Sequence, residues 1–216
     1  MAVGPQYTSD GNTPPTGRQG KAGEAIVSQA GGKYYEDSSR GVTFGASDNA
    51  TGVATPTTLS TTAIASLFNP ANSKVRLALQ KLTFGYFSGT LGPGSYYHCL
   101  MPLGTAAPSS GTAPAVFQTD AGNISSAAAQ GVFRYAPTVV APTSTGVILP
   151  TGFATGVTLA TTAVNLPGAV IDIDGELVIE PGAQWQLQSV LGAGSSSPKI
   201  SVGLTWKEVP IVNSQG

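Results

Sequence analysis

Short apolar runs separated by turn residues dominate the chain from Val42 onward. They are rich in β-branched and aromatic residues and are bounded by glycine, proline, asparagine or serine, which is typical of strands rather than helices. The clearest run, Lys74–Phe84, alternates in its first half, with Val75, Leu77 and Leu79 on one face. The pattern predicts a half-buried strand.

The alternation of this run changes parity near Lys81. Leu82 and Phe84 fall on the face that Gln80 occupies. Apolar side chains can then stay on one side of a sheet only if the strand holds an extra residue. We therefore predict a bulge or bend close to Lys81.

Further runs predict more strands and an all-β fold. They are Ser95–Met101, Ala115–Thr119, Val132–Tyr135, Gly146–Leu149, Ala169–Ile173, Glu176–Ile179, Gln184–Val190 and Lys199–Val209. So many short strands favour an antiparallel β-sandwich, and the length suits a jelly-roll-like sandwich with extra edge strands. A seven-stranded immunoglobulin-like sandwich is the structural alternative. The small residues of Ala106–Gln130 predict a long surface loop.

The first forty residues differ from the rest of the chain. They are poor in large apolar side chains and hold turn-forming segments at Gly11–Gly17 and Gln29–Gly32. We predict an extended N-terminal arm over residues 1–40 and one β-sandwich domain over residues 41–216. Composition alone does not separate an arm that orders on a partner from a disordered terminus.

Charge is scarce: only 10% of the 216 residues are charged, against roughly 25% in an ordinary domain. Such a chain is expected to cover much of its surface with other subunits. A net charge of -1 with scattered basic residues argues against nucleic-acid binding. No apolar run approaches the ~20 residues that span a bilayer, and the N-terminus lacks the pattern of a secretory signal. We expect an aqueous compartment and no membrane partner.

His98 and Cys99 are the most reactive side chains of the chain. They are neighbours, so in a strand they point to opposite faces and cannot act together as base and nucleophile. The sequence also lacks nucleotide-binding and hydrolase motifs. We predict a structural histidine, a buried thiol, no catalytic residue and no cofactor.

Three carboxylates lie two residues apart, at Asp172, Asp174 and Glu176. On an extended strand they would share one face, where their oxygen atoms could hold calcium. Asp174 and Gly175, however, form a preferred two-residue hairpin turn, which would break that alignment. The turn is the favoured interpretation, so no metal site is predicted.

Two segments offer candidate contact residues. From Gln184 onward the pattern places Trp185 inward and the glutamines outward, and uncharged outward glutamines suit a subunit contact. Tyr34 and Tyr35 form either a sugar-binding platform or, the favoured interpretation, an anchor that pins the arm to the sandwich. The candidate interface or anchor residues are therefore Tyr34, Tyr35, Gln184, Trp185 and Gln186.

Several segments resemble a family of tailed-phage and prophage virion proteins. They are Gly32–Glu36, Arg40–Phe44, Leu59–Thr62 and Leu67–Ser73. The stretch Gly175–Pro210, with its strand, Pro-Gly turn and closing strand, is similar to the jelly-roll ends of phage decoration and fibre-like proteins. The resemblance implies a non-enzymatic, trimeric structural protein of the virion, which assembles in the host cytoplasm.

Within that family the sequence favours one role and leaves a second open. The favoured role is a capsid decoration or cement protein that binds and stabilises the assembled head, with itself and the major capsid protein as partners. The alternative is a tail, baseplate or fibre component with a receptor- or carbohydrate-binding jelly roll. An enzyme on a β scaffold is disfavoured, because no acid–base pair or activated nucleophile is identifiable.

Overall fold

The computed structural model describes residues 34–48, 51–119, 129–155, 159–160 and 168–211. The chain divides into two units, residues 1–36 and residues 37–216. Most of the predicted arm, residues 1–33, lies outside the described residues. Its C-terminal end is not extended, because Tyr35–Ser39 forms a short helix, α1. The turn after this helix ends at Gly41, whose φ is 66° and whose N–H donates to the Ser38 carbonyl at 2.9 Å.

Strands make up most of the regular structure of the described chain, and a second short helix, α2, covers Pro142–Thr145. In chain order the strands are β1 (Thr43–Ser47), β2 (Val53–Ala54), β3 (Ala65–Phe68), β4 (Val75–Leu91), β5 (Gly94–Met101), β6 (Phe117–Gln118), β7 (Val132–Tyr135), β8 (Val147–Thr155), β9 (Leu159–Ala160), β10 (Ala169–Asp172), β11 (Val178–Ile179), β12 (Gln184–Leu191) and β13 (Ser196–Pro210).

These strands form two antiparallel sheets. The larger has eight strands and runs β10-β4-β13-β1-β6, with β2 beside β13 and with β9 and β11 beside β4. The smaller runs β7-β3-β12-β5-β8. The pairs β1–β13 and β4–β10 lie in the larger sheet, and the pairs β3–β12 and β5–β8 lie in the smaller sheet. Pairs nested in this way and divided between two packed sheets give a jelly roll. The predicted β-sandwich is confirmed, and the immunoglobulin-like alternative does not fit this strand order.

The core lies between the two sheets and is rich in aromatic rings. Trp206 of the larger sheet stacks on Phe133 of the smaller sheet, with ring centroids 6.3 Å apart. Nearby, Phe84 packs against Tyr96 at 5.3 Å and against Phe153 at 5.2 Å. Such contacts between facing sheets exclude water from the centre of the sandwich.

The predicted bulge is present in β4. Lys81 pairs with Thr205 and Leu79 pairs with Trp206, so Gln80 is the extra residue. The bulge keeps both Leu79 and Leu82 fully buried, as the change of parity predicted. The Gln80 carbonyl accepts the N–H groups of Ile173 and Asp174, at 2.8 and 3.0 Å.

Some strands differ from the sequence prediction. β3 was not predicted, although it lies between β7 and β12. β8 continues past Pro150 to Thr155, because an edge strand tolerates a proline that cannot donate to a ladder. The predicted strand Ala115–Thr119 is present but shorter, as β6, and residues 120–128 of the predicted loop Ala106–Gln130 lie outside the described part of the chain.

Candidate functional site

The glutamines of β12 are not exposed, and this part of the sequence prediction is wrong. Gln184, Gln186 and Gln188 point away from the core as predicted, but each is fully buried. Loops of the same chain cover them. Gln186 donates from Nε2 to the Val140 carbonyl at 3.0 Å. Gln186 thus holds a loop in place, and none of the three glutamines is exposed to a second subunit.

Gln188 also holds a covering loop by hydrogen bonds. Its Nε2 donates to the Ser60 carbonyl at 3.0 Å and to Oε1 of Gln186 at 3.1 Å. Its Oε1 accepts the Ser60 N–H at 3.5 Å. The amide of Gln184, in contrast, has no hydrogen-bond partner in the described chain. The polar face of β12 is therefore an internal layer beneath a loop cover.

The two tyrosines of the predicted anchor lie at the start of α1. Tyr34 is half-buried, and Tyr35 is 64% exposed. The Tyr35 ring is therefore available for a contact with a partner. The role of both residues as anchor or interface stays a prediction.

Trp185 is a core residue. It is fully buried, as predicted from its inward position, and its Nε1 donates to Nδ1 of His98 at 3.0 Å. His98 lies on β5 and is itself 5% exposed. Cys99 lies on the opposite face of β5 and is fully buried. The structural histidine and the buried thiol are confirmed.

Burial fixes the chemistry of both residues. It lowers the pKa of His98 to about 4 and raises the pKa of the Cys99 thiol to about 12. At neutral pH the thiol is protonated and a poor nucleophile. Because an indole N–H can only donate, Nδ1 of His98 is an acceptor and the ring proton is on Nε2. His98 is thus a neutral hydrogen-bond donor at Nε2.

The predicted turn at Asp174 and Gly175 is confirmed. Both residues have positive φ, 56° and 84°, and the Glu176 N–H donates to the Ile173 carbonyl at 3.0 Å. The turn breaks the alignment that a calcium site would need. Oδ1 of Asp172 instead lies 3.4 Å from Nζ of Lys81 and forms an ion pair with it. Within the described ranges, no group of three or more His, Cys, Asp or Glu side chains is placed to hold a metal ion.

A cleft of about 330 Å³ opens between the edge strands of the two sheets. β8 of the smaller sheet forms one wall, and the end of β10 with the turn that follows it forms the other. The lining residues are His98, Leu149, Pro150, Thr151, Ile171, Asp172, Ile173, Glu176 and Leu177. Neighbours so far apart in sequence leave no local pattern, which is why the sequence did not predict this cleft.

The outer face of the larger sheet carries a row of side chains without charge. The row crosses four strands, because Thr83 pairs with both Val170 and Gly203, and Gly203 pairs with Ser47. Val170 is 59% exposed, and Ser47 is exposed at the other end. We call these four residues the neutral row. Three of its four members, Ser47, Thr83 and Gly203, are small residues.

The edge strand β8 exposes three consecutive apolar residues. Val147 is 57%, Ile148 36% and Leu149 38% exposed. An exposed apolar edge strand offers both apolar surface and unpaired backbone groups to a neighbouring molecule. This edge is therefore a second candidate contact surface.

No protein-family model matches the sequence, and no curated protein matches it. Among the helices of the described residues, none has the length and apolar character needed to cross a membrane.

Proposed function

We propose that this chain is a non-enzymatic structural protein of a tailed-phage virion, a decoration or cement protein that binds the assembled head. The neutral row on the outer face of the larger sheet is the observation that carries this proposal. The jelly-roll topology, which also occurs in viral capsid proteins, supports it. So do the low charge and the sequence resemblance described above.

The neutral row suits contact with a large flat partner. Gly203 and Ser47 raise little above the backbone, and Thr83 keeps its hydroxyl close to Gly203 by donating to that carbonyl at 3.3 Å. A surface of this kind buries area without leaving charges unpaired, which would be costly in an interface. The partner we propose is the major capsid protein of the assembled shell.

Stabilisation of the shell then follows from mass action. A protein that binds the assembled shell but not loose shell subunits lowers the free energy of the assembled state by its free energy of binding. A stable contact of this type buries on the order of 800 Å² per partner. Residues 1–40 extend the contact in this proposal by gripping neighbouring shell subunits.

The apolar edge of β8 is the surface that we assign to contacts between copies of the chain. Burial of Val147 and Ile148, which do not line the cleft, would remove these side chains from water in a trimer. Light scattering tests the assignment, with an expected mass three times the 21.7 kDa of the chain. Val147→Lys should reduce that mass to the monomer value. Leu103→Lys, at a 66% exposed loop position outside this edge, should leave it unchanged. A monomeric wild-type protein would contradict the trimer.

Add-back to virus particles made without this protein tests the main proposal. Wild-type protein should bind the heads and raise the temperature at which they release DNA. Val170→Glu, which places a charge at the exposed end of the neutral row, should reduce binding strongly. Leu103→Glu is the matched control and should bind as the wild type does. A wild-type protein that is absent from particles would overturn the proposal.

A receptor-binding tail or fibre module is the second candidate, because the cleft between β8 and β10 has room for a small ligand. The two candidates differ in location on the particle. Gold-labelled antibodies against the chain should mark the head if it is a decoration protein. Labelling confined to the tail would favour the second candidate and contradict the first.

A further inference from the structure

The cleft between β8 and β10 contains a buried donor that the fold does not use. His98 lines the cleft and is 5% exposed. Its Nδ1 is occupied by Trp185, which is not a lining residue, so the ring edge that carries Nε2 is the one that the cleft can reach. Within the described residues, Trp185 is the only hydrogen-bond partner of the His98 side chain. The Nε2–H group is thus aimed at a ligand or at water.

The cleft also carries acceptors at its mouth. Asp172 and Glu176 line it and are both exposed. An ionised carboxylate only accepts hydrogen bonds, and its bonds with hydroxyl donors are short and strong. The Thr151 hydroxyl contributes little to ligand binding, because its Oγ1 already donates to the Tyr96 carbonyl and accepts the Phe153 N–H. Oδ1 of Asp172 also pairs with Nζ of Lys81 at 3.4 Å. The polar groups left for a ligand are therefore one donor within the cleft, the Glu176 carboxylate and the Asp172 oxygen that does not face Lys81.

The remaining walls are aliphatic. Leu149 and Pro150 come from β8, and Ile171, Ile173 and Leu177 come from the opposite wall. A volume of about 330 Å³ lies at the small end of the usual range for ligand sites. The cleft therefore suits one small ring with C–H surface. It does not suit an anion, which the carboxylates would repel.

We propose that this cleft binds one neutral sugar residue. A sugar hydroxyl or ring oxygen accepts the proton of His98 Nε2, other hydroxyls donate to Asp172 and Glu176, and the C–H face of the ring packs against the aliphatic walls. A pyranose carries these features on one molecule. Binding is weak, since no Phe, Tyr or Trp side chain lines the cleft. The site adds a binding activity to the structural role and is testable on the free protein.

Titration of the full-length protein with a panel of neutral monosaccharides tests this site. The readouts are saturation transfer from the protein to the sugar and the ¹⁵N resonances of the only histidine. At least one sugar should move the His98 Nε2 resonance more than the Nδ1 resonance. Methyl glycosides and short oligosaccharides form a second arm. Tighter binding in that arm identifies a residue of a glycan chain as the ligand, and tighter binding of the free sugar identifies a monosaccharide.

Glu176→Gln tests the acceptors without disturbing the core, because Glu176 is exposed. It should weaken sugar binding about fivefold, because a neutral hydrogen bond to the glutamine oxygen replaces a charge-assisted one. Glu180→Gln is the matched control. It changes a partly exposed carboxylate that pairs with Arg76 outside the cleft, and it should leave sugar affinity unchanged. The proposal is overturned if no sugar shifts His98, if both variants weaken binding equally, or if methylammonium competes with the sugar for the site.

Discussion

Trp185 and His98 share a buried hydrogen bond of 3.0 Å, donated by the indole Nε1 to the imidazole Nδ1. The bond requires a free electron pair on Nδ1, so it holds the histidine in its Nε2–H tautomer. Protonation of His98 would break this bond and place a charge at the edge of the core. The pair therefore links the stability of the jelly roll to pH.

We expect the free energy of unfolding to fall as pH drops from 6.5 towards 4. The pKa of His98 is about 4 in the folded chain because burial lowers it from 6.5. Between these values the unfolded chain binds more protons than the folded chain, so acid favours unfolding. The contribution of this residue is roughly 3 kcal/mol at most. Urea unfolding at pH 7 and at pH 5 measures it.

His98→Gln is the control for this pH dependence. The chain has a single histidine, and a glutamine oxygen can accept the Trp185 N–H without titrating. The variant should lose less stability than the wild type between pH 7 and pH 5. An equal loss in both proteins would assign the effect to carboxylates and contradict the role of His98.

Glu208→Gln should destabilise the fold by about 1–3 kcal/mol. The Glu208 carboxylate is 5% exposed and accepts the N–H groups of Gln130 at 2.8 Å and Gly131 at 2.9 Å. It also accepts the indole N–H of Trp206 at 3.3 Å. An amide oxygen can replace Oε1, but the NH2 group would then face the Gln130 N–H, which Oε2 accepts at 3.1 Å. Denaturant unfolding measures the loss.

The control for Glu208 is the same substitution at Glu180. That carboxylate is only partly buried and pairs with Arg76 at 2.9 Å. Surface ion pairs of this type contribute about 0–1 kcal/mol. If Glu180→Gln proved as destabilising as Glu208→Gln, the buried hydrogen bonds would not be the cause.

Gln188→Met should loosen the loop that contains Ser60. Methionine preserves the volume of the side chain but cannot donate to the Ser60 carbonyl or to Gln186. Amide hydrogen exchange across residues 57–62 should accelerate, at a cost of about 1 kcal/mol in local stability. Gln130→Met, at an exposed position outside this loop, should leave the exchange of residues 57–62 unchanged. Unaltered exchange in Gln188→Met would show that packing alone holds the loop.

Gly203→Ala should destabilise the fold by about 1–2 kcal/mol. A Cβ at this position would lie 2.6 Å from the Thr83 Oγ1 atom. In a Thr83→Ala background that atom is gone, so the added cost of Gly203→Ala should fall by about 1 kcal/mol. A double-mutant cycle by urea unfolding measures the difference. Equal costs in both backgrounds would exclude the contact as the cause.

Features set by neighbouring residues could be predicted from the sequence. The bulge at Gln80 follows from a change of parity within β4, and the turn at Asp174 and Gly175 follows from their tolerance of positive φ. The inward direction of Trp185 follows from the alternation of β12. Each of these depends on a few consecutive residues, and so each is visible in the chain itself.

Features set by residues far apart in the chain could not be predicted from the sequence. The alternation of β12 gives the direction of Gln186 but not the loop around Val140 that covers it. The alternation of β3 is broken by the apolar Phe68, which shares the outer face with Ser66, and Ser66 is buried as completely as Leu67 on the inner face. The cleft joins β5, β8 and β10 only after the sheets have formed. Burial by parts of the chain far away in sequence leaves no local pattern.

The position of β13 has a consequence for how the protein is made. This strand lies between β4 and β1 in the larger sheet, although it is the last strand of the described chain. A ribosome that has not yet released Ser196–Pro210 holds a nascent chain whose larger sheet lacks its central strand. Such a chain exposes the apolar sides of β1 and β4 during synthesis. The larger sheet can therefore be completed only after Ser196–Pro210 has left the ribosome, and shielding of the growing chain by chaperones should raise the yield.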